Sequence, residues 1–167
     1  FLCPVPPMGK VLLFGCGQGA MSLARHLIEL GFSVYAADPR RGRLGSQDWQ
    51  RLGAELIEGG WEQARSSAAP DEDTAVVVMT NSYALDIETL QGALRSPATY
   101  VGVVGPEART QRLLADLEKL EVRPRPGSFF GPAGLDIGAE TPQEAALSIA
   151  AEILAARSGH KRGRQAP

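Results

Sequence analysis

The stretch VLLFGCGQGAMSLARHLIELGFSVYAADPR, residues 11–40, decides the fold. Four apolar residues, 11–14, lead into Gly15-Cys16-Gly17-Gln18-Gly19, and Met21, Ala24, Leu27 and Ile28 then recur at helical spacing. Gly31 is a natural helix stop, residues 32–37 are β-like, and Asp38-Pro39 ends the run. The order is strand, glycine turn, helix, strand.

Outward from there the unit repeats more loosely. Residues 47–52 read as a short helix, 54–58 as a strand and 59–73 as a polar, Ala/Ser-rich connection. Residues 75–79 are apolar on both faces, which suits a central parallel strand with helices on either side. Residues 84–95 read as a helix, 100–104 as another two-sided strand, and 107–120 as a helix with Pro106 at a first helical position. Residues 121–140, with Pro124, Pro126 and Pro132, read as irregular. Thr141-Pro142-Gln143-Glu144 then opens the last helix as a capping box. The pattern predicts an α/β fold, a Rossmann-like doubly wound parallel sheet of strand order 3-2-1-4-5. Its boundaries are an extended lead-in over 1–9, the domain over 10–157 and a flexible basic tail over 158–167.

Gly15-x-Gly17-x-x-Ala20 is a GxGxxG/A fingerprint in its required setting, after a strand and opening a helix. Gly15 permits the tight turn, Gly17 lets backbone approach a phosphate, and Ala20 keeps helix and strand close. The helix N-terminus offers unpaired N–H groups to an anion. Asp38 stands where an acidic residue accepts from ribose hydroxyls. Phosphate or nucleotide binding is the functional reading; glycines that merely permit packing are the alternative. Arg40 and Arg41 either meet a 2′-phosphate or stand solvated on a loop, so NAD against NADP stays undecided. In a parallel sheet ligands sit at the carboxyl ends of the strands. There residues 15–19 should converge with Thr80-Asn81-Ser82 and Gly105-Pro106, Thr80 and Asn81 serving a ligand rim or a helix cap.

Composition bounds the rest. The 167 residues suit one domain, and 44% apolar with 22% charged residues is ordinary globular usage. A net charge of −2 gives no basic field to recommend nucleic acid, and no apolar run reaches membrane-spanning length. Cys3 and Cys16 make no disulfide framework, which points to a reducing cytoplasm. Phe1 in place of Met, with a Pro-rich start, points to a piece of a longer chain. Of the two histidines, His26 lies on a helix face and His160 in the tail. No catalytic set or metal-ligand spacing is present in the sequence. Cys16, at a helix N-terminus, is either a thiol with lowered pKa or simply a small apolar residue of the turn.

Together with AVVVMTNSYALDIETL, YVGVVGPEARTQRLL and above all GPAGLDIGAETPQEAALSIAAEILAAR, the opening stretch resembles the C-terminal Rossmann domain of XdhC/CoxI proteins. The resemblance implies an accessory factor for a molybdenum hydroxylase of the xanthine dehydrogenase or CO dehydrogenase type. Such a factor binds the molybdenum cofactor (molybdopterin), cooperates with a cysteine desulfurase and hands the cofactor to the apo-enzyme. On that reading Gly15, Cys16, Gly17, Gln18, Gly19, Asp38, Arg40, Thr80, Asn81 and Gly105 form the cofactor site, and no independent catalysis is needed. The alternative is an NAD(P)-binding oxidoreductase. Assembly as a homo-oligomer is left open. The family's turn commonly reads GAGH, where Cys16 and Gln18 stand here, and its later T-H is here Thr80-Asn81. The family's N-terminal domain is not in this sequence.

Overall fold

The computed structural model describes residues 8–45 and 47–159. Most of the lead-in and tail, with Cys3 and His160, falls outside the described residues. The described strands form one sheet in the order β3-β2-β1-β4-β5-β6, every neighbouring pair parallel. They are β1 (Lys10–Phe14), β2 (Ser33–Ala37), β3 (Glu55–Ile57), β4 (Thr74–Val78), β5 (Tyr100–Val103) and β6 (Phe129–Phe130). The anticipated order 3-2-1-4-5 holds and gains a sixth strand. β4 is buried at every position, as a two-sided apolar run requires. Phe14 lies opposite Ala37 on one side and Val78 on the other, so the three central strands end flush. That shared end is a platform for loops.

The helices are α1 (Gln18–Glu29), α2 (Gln47–Leu52), α3 (Trp61–Ala68), α4 (Tyr83–Arg95), α5 (Glu107–Lys119) and α6 (Pro142–Arg157). One buried cluster joins α1, α2 and α6 to one face of the sheet through Leu23, Trp49 and Ile149. A second joins α3, α4 and α5 to the other face through Trp61, Leu90 and Leu113. Two layers of helix on one sheet is the doubly wound arrangement.

Three expectations are corrected. The stretch 59–73 holds α3, whose apolar side is only Trp61, Ala64 and Ala68, too sparse among polar residues to show a period. Tertiary packing makes this helix: the Trp61 ring lies 5.9 Å from that of Phe14 and fills the space a side chain at Gly92 would need. Residues 121–140 hold β6, two residues that complete the edge of β5, where Phe130 stacks on Tyr100 at 4.3 Å. Pro106 is the N-cap of α5 in extended conformation, not its first helical residue.

The capping box of α6 forms as the sequence predicts. The Glu144 N–H donates to Thr141 Oγ1 (3.2 Å), and Glu144 Oε2 accepts from the N–H groups of Thr141 (3.0 Å) and Glu140 (2.8 Å). Those donors hold the Glu144 carboxyl below the usual carboxylate range. Buried Glu152 ties the preceding loop down, accepting from Tyr100 Oη (2.8 Å) and the Gly134 N–H (2.8 Å). In this way α6 is led from β6 across the carboxyl end of the sheet and laid along α1.

Candidate functional site

The glycine turn contains two glycines with different reasons to exist. Gly15 has φ +97°, and a Cβ there would lie 2.5 Å from the Met79 carbonyl oxygen. The fold itself therefore demands glycine. Gly17, the N-cap of α1, has φ −84°, and a Cβ built on it meets nothing within 4 Å. Neither its backbone conformation nor its neighbours exclude a larger side chain, and the space above it is open. The first bond inside α1 runs from the Met21 N–H to Gly17 O (3.1 Å), so the N–H groups of Gln18, Gly19 and Ala20 precede it. α1 has no side-chain cap and no acidic residue in its first turn.

A pocket of about 210 Å³ stands on this turn. Residues 17–20 form its floor, Met79, Asn81 and Val104 its side, and Pro142, Ala145, Ala146 and Ile149 of α6 its roof. The three loops expected to converge do so, with Val104 lining the pocket in place of Gly105. The volume suits a phosphate-sized group rather than a whole cofactor. A second pocket, about 270 Å³, opens at the end of β2 between Arg40, Leu44, Leu56 and Glu58.

Asp38 is fully buried at the end of β2. Its Oδ1 accepts from the Arg40 N–H (3.0 Å) and Nε (2.8 Å), and its Oδ2 from Arg40 Nη2 (2.7 Å) and the Cys16 N–H (3.0 Å). Burial alone pushes its carboxyl up; the bonds from Arg40 and Cys16 outweigh this and hold it below the ordinary aspartate value. Arg40 also donates through Nη1 to the Thr80 carbonyl (2.9 Å), so its guanidinium bridges the ends of β2 and β4. Cys16 is buried inside the turn, and its thiol is pushed up to about 12, first by burial and then by the charge of Asp38. Burial and the Asp38 charge thus oppose thiolate formation, desolvation outweighing the helix N-terminus.

Thr80 is consumed by the fold. Its hydroxyl donates to Asp86 and accepts from the Ser82 N–H (3.1 Å). Ser82, not Thr80 or Asn81, is the N-cap of α4. Asn81 is exposed at φ 57° and lines the pocket. Gly105, at φ +147°, sits beside Arg109. Sequence reasoning missed the network beyond Thr80. Buried Asp86 pairs with Arg109 (2.5 Å), Arg109 and Arg112 lie over the Tyr83 ring, and the Tyr83 hydroxyl donates to Asp116 (2.7 Å). Tyr83 and Asp86 on α4 stand 23 or more residues from Arg109, Arg112 and Asp116 on α5, and only the packing of α4 against α5 joins the two sets. Among the described residues, no group of three or more His, Cys, Asp or Glu side chains is placed to hold a metal ion, and no helix is long and apolar enough to cross a membrane.

The same architecture recurs in known proteins. A probable xanthine dehydrogenase subunit from Bacillus subtilis is 32% identical over 157 residues, which cover 94% of this chain and 46% of that protein. The uncharacterized protein YqeB of Escherichia coli is 30% identical over 146 residues, 87% of this chain and 27% of that protein. A crystal structure of a xanthine dehydrogenase from Bacillus halodurans superposes with a TM-score of 0.76 at 26% identity, covering 95% of this chain and 45% of that one. The chain thus spans about half the length, or less, of these relatives. An imine reductase variant from Myxococcus stipitatus, solved with NAD+, shares the fold alone, at 12% identity over 72% of this chain and 39% of that one, with a TM-score of 0.50. The model of the XdhC Rossmann domain matches residues 11–153, and this chain belongs to that family.

Proposed function

We propose that this chain is the cofactor-holding domain of an accessory protein for a molybdenum hydroxylase of the xanthine dehydrogenase type. In this reading it binds the molybdenum cofactor by its phosphate at the glycine turn and delivers it to the apo-enzyme. Family membership and the name of the Bacillus subtilis relative support the client class. The cysteine desulfurase belongs to the same reading, as the sulfur donor.

The observation that carries the proposal is Gly17, a glycine that no positive φ and no neighbouring atom demands, at a helix N-terminus without a side-chain cap under a phosphate-sized pocket. The residues present fit a phosphate. The N–H groups of Gln18, Gly19 and Ala20 would hold it, with the positive end of α1 behind them. Met79 and the apolar face of α6 would screen it from water, and Asn81 would offer a side-chain amide at the rim. Once installed in the client, the cofactor supplies the metal's redox chemistry; here the chain only binds, shields and releases it.

The test is retention of molybdopterin after co-expression, read as the fluorescent oxidised pterin. The natural chain should retain it and Gly17→Asp should lose it at least tenfold, the circular dichroism melt staying within a few degrees. Equal retention by Gly17→Asp, or none by the natural chain, overturns the reading.

A further inference from the structure

We infer that the outer face of α6 is a self-association surface, on which a second copy of this chain lays its own α6 antiparallel. α6 carries two apolar stripes. Ala146, Ile149, Ala150 and Ile153 recur at helical spacing and are buried against α1 and the sheet. Leu147, Ala151, Leu154 and Ala155 recur at helical spacing on the outward side, where Leu147 is 52% exposed and the other three are partly exposed. A third side is closed by the loop before the helix: the Leu135 N–H donates to Ser148 O (3.3 Å) and the Gly134 N–H to Glu152 (2.8 Å). Between Glu144 and Arg157 the only charged residue is Glu152, and it is buried. A helix apolar all round is a covered helix, and over residues 145–156 the fold covers every side of α6 but the outward one.

The ends of the stripe point to its occupant. Ala151 stands at the middle; at 1.5 Å per residue Glu144 lies about 10 Å to one side of it and Arg157 about 9 Å to the other. A two-fold axis through Ala151 therefore brings Glu144 of each copy to the Arg157 end of the other, and both side chains are exposed. The same axis sets Leu147 against Ala155 of the second copy, a large side chain against a small one. It sets Ala151 against its own counterpart, where two helices can approach closely. The two helix dipoles then run opposed. A parallel partner would instead place Glu144 beside Glu144. A lipid surface asks for Lys and Arg along the flank, and the flanking charge at the start of this face is Glu144. Pro142, Ala145, Ala146 and Ile149 of the same helix roof the pocket on the glycine turn, so pairing braces that roof. This holds whatever the pocket binds.

Sedimentation velocity of the full chain over about 10 to 500 μM should show a monomer–dimer equilibrium, since one helix pair buries less than a standard interface. Leu147→Lys should raise the dissociation constant about tenfold or more, a charge being stranded in an apolar contact, while the melting temperature stays within a few degrees. Arg157→Glu should weaken the dimer by a smaller factor, by setting like charges at both ends of the stripe. In a Cys3→Ser background, copper phenanthroline should oxidise Ala151→Cys chains to a disulfide-linked dimer. Leu147→Cys, about 12 Å along the helix from its own counterpart, should stay unlinked. A chain that is monomeric at every concentration, its outer face left for another domain or a client, overturns the self-association. So does a dimer unmoved by Leu147→Lys, or linkage at position 147 in preference to 151. Each of these outcomes leaves the proposed function standing, which molybdopterin retention tests separately.

Discussion

Two helix N-termini face the same small pocket, and they are finished differently. α6 closes its own end: Thr141 and Glu144 exchange bonds with the backbone, and the Glu144 charge answers the helix dipole. α1 is left bare, begun by a glycine with open space above it and followed by no acid in the first turn. Bare N–H groups cost stability wherever water or a ligand does not satisfy them. α4 and α5 also lack a side-chain cap, so what sets α1 apart is the open space above Gly17 at the pocket, where the proposed phosphate would stand.

The largest effect that probes this contrast lies within the bare end itself. Gly15→Ala adds a left-handed residue and drives a Cβ against backbone, and should cost about 3 kcal/mol or more in urea unfolding. Gly17→Ala should cost about 1 kcal/mol, the loss of a favoured N-cap residue without backbone strain, well below the penalty at Gly15. The pair separates a glycine the fold needs from one the ligand needs. Comparable losses at both positions would break the distinction, and with it the case for a phosphate at that end.

A smaller effect sharpens the capped end. Thr141→Ala should cost about 1 kcal/mol and leave ligand retention unchanged. Its partner adds a pH dependence. The folded pKa of Glu144 lies below its ordinary value, so the stabilisation is present above roughly pH 4.3 and is lost as pH falls through the depressed folded value. Unfolding of Glu144→Gln should therefore differ from that of the natural chain at pH 7 and converge with it in acid. A difference that persists below pH 3 would assign Glu144 some other role.

Local pattern made the sheet, its order, the glycine turn and the α6 cap legible, because each is set by residues within a few positions of one another. Residues 11–14 and 75–79 are two-sided because they are central, and Thr141-Pro142-Gln143-Glu144 caps because its bonds span three residues. What escaped is what the turn of the chain brings together. α3 depends on Trp61 finding the space at Gly92, and β6 on an open edge of β5. At the site, Asp38 was legible by position but not by state. Nothing in the spacing says that Arg40 returns to saturate it, or that Thr80 is spent on Asp86 while Asn81 takes the rim. Roles set by burial are decided in three dimensions.

The smallest effect concerns the thiol beneath the bare helix end. A helix N-terminus lowers a thiol pKa, yet the Cys16 thiol stands near 12, because burial and then the Asp38 charge oppose its ionisation. Unfolded thiols titrate near 8.5, so the stability that this raised value reports is intact below that pH and declines as pH climbs towards 12. In a Cys3→Ser background at pH 9.5, native Cys16 should react with iodoacetamide at least about a hundredfold more slowly than in urea. Asp38→Asn removes the second cause and leaves the first. It should lower the pKa and raise the native alkylation rate severalfold. Asp86→Asn, at an aspartate that does not act on Cys16, should leave the rate unchanged. A rise of a hundredfold in Asp38→Asn would mean that the carboxylate holds the turn shut, and that the bare end of α1 is kept in place by Asp38 rather than by the packing of Gly15 against Met79.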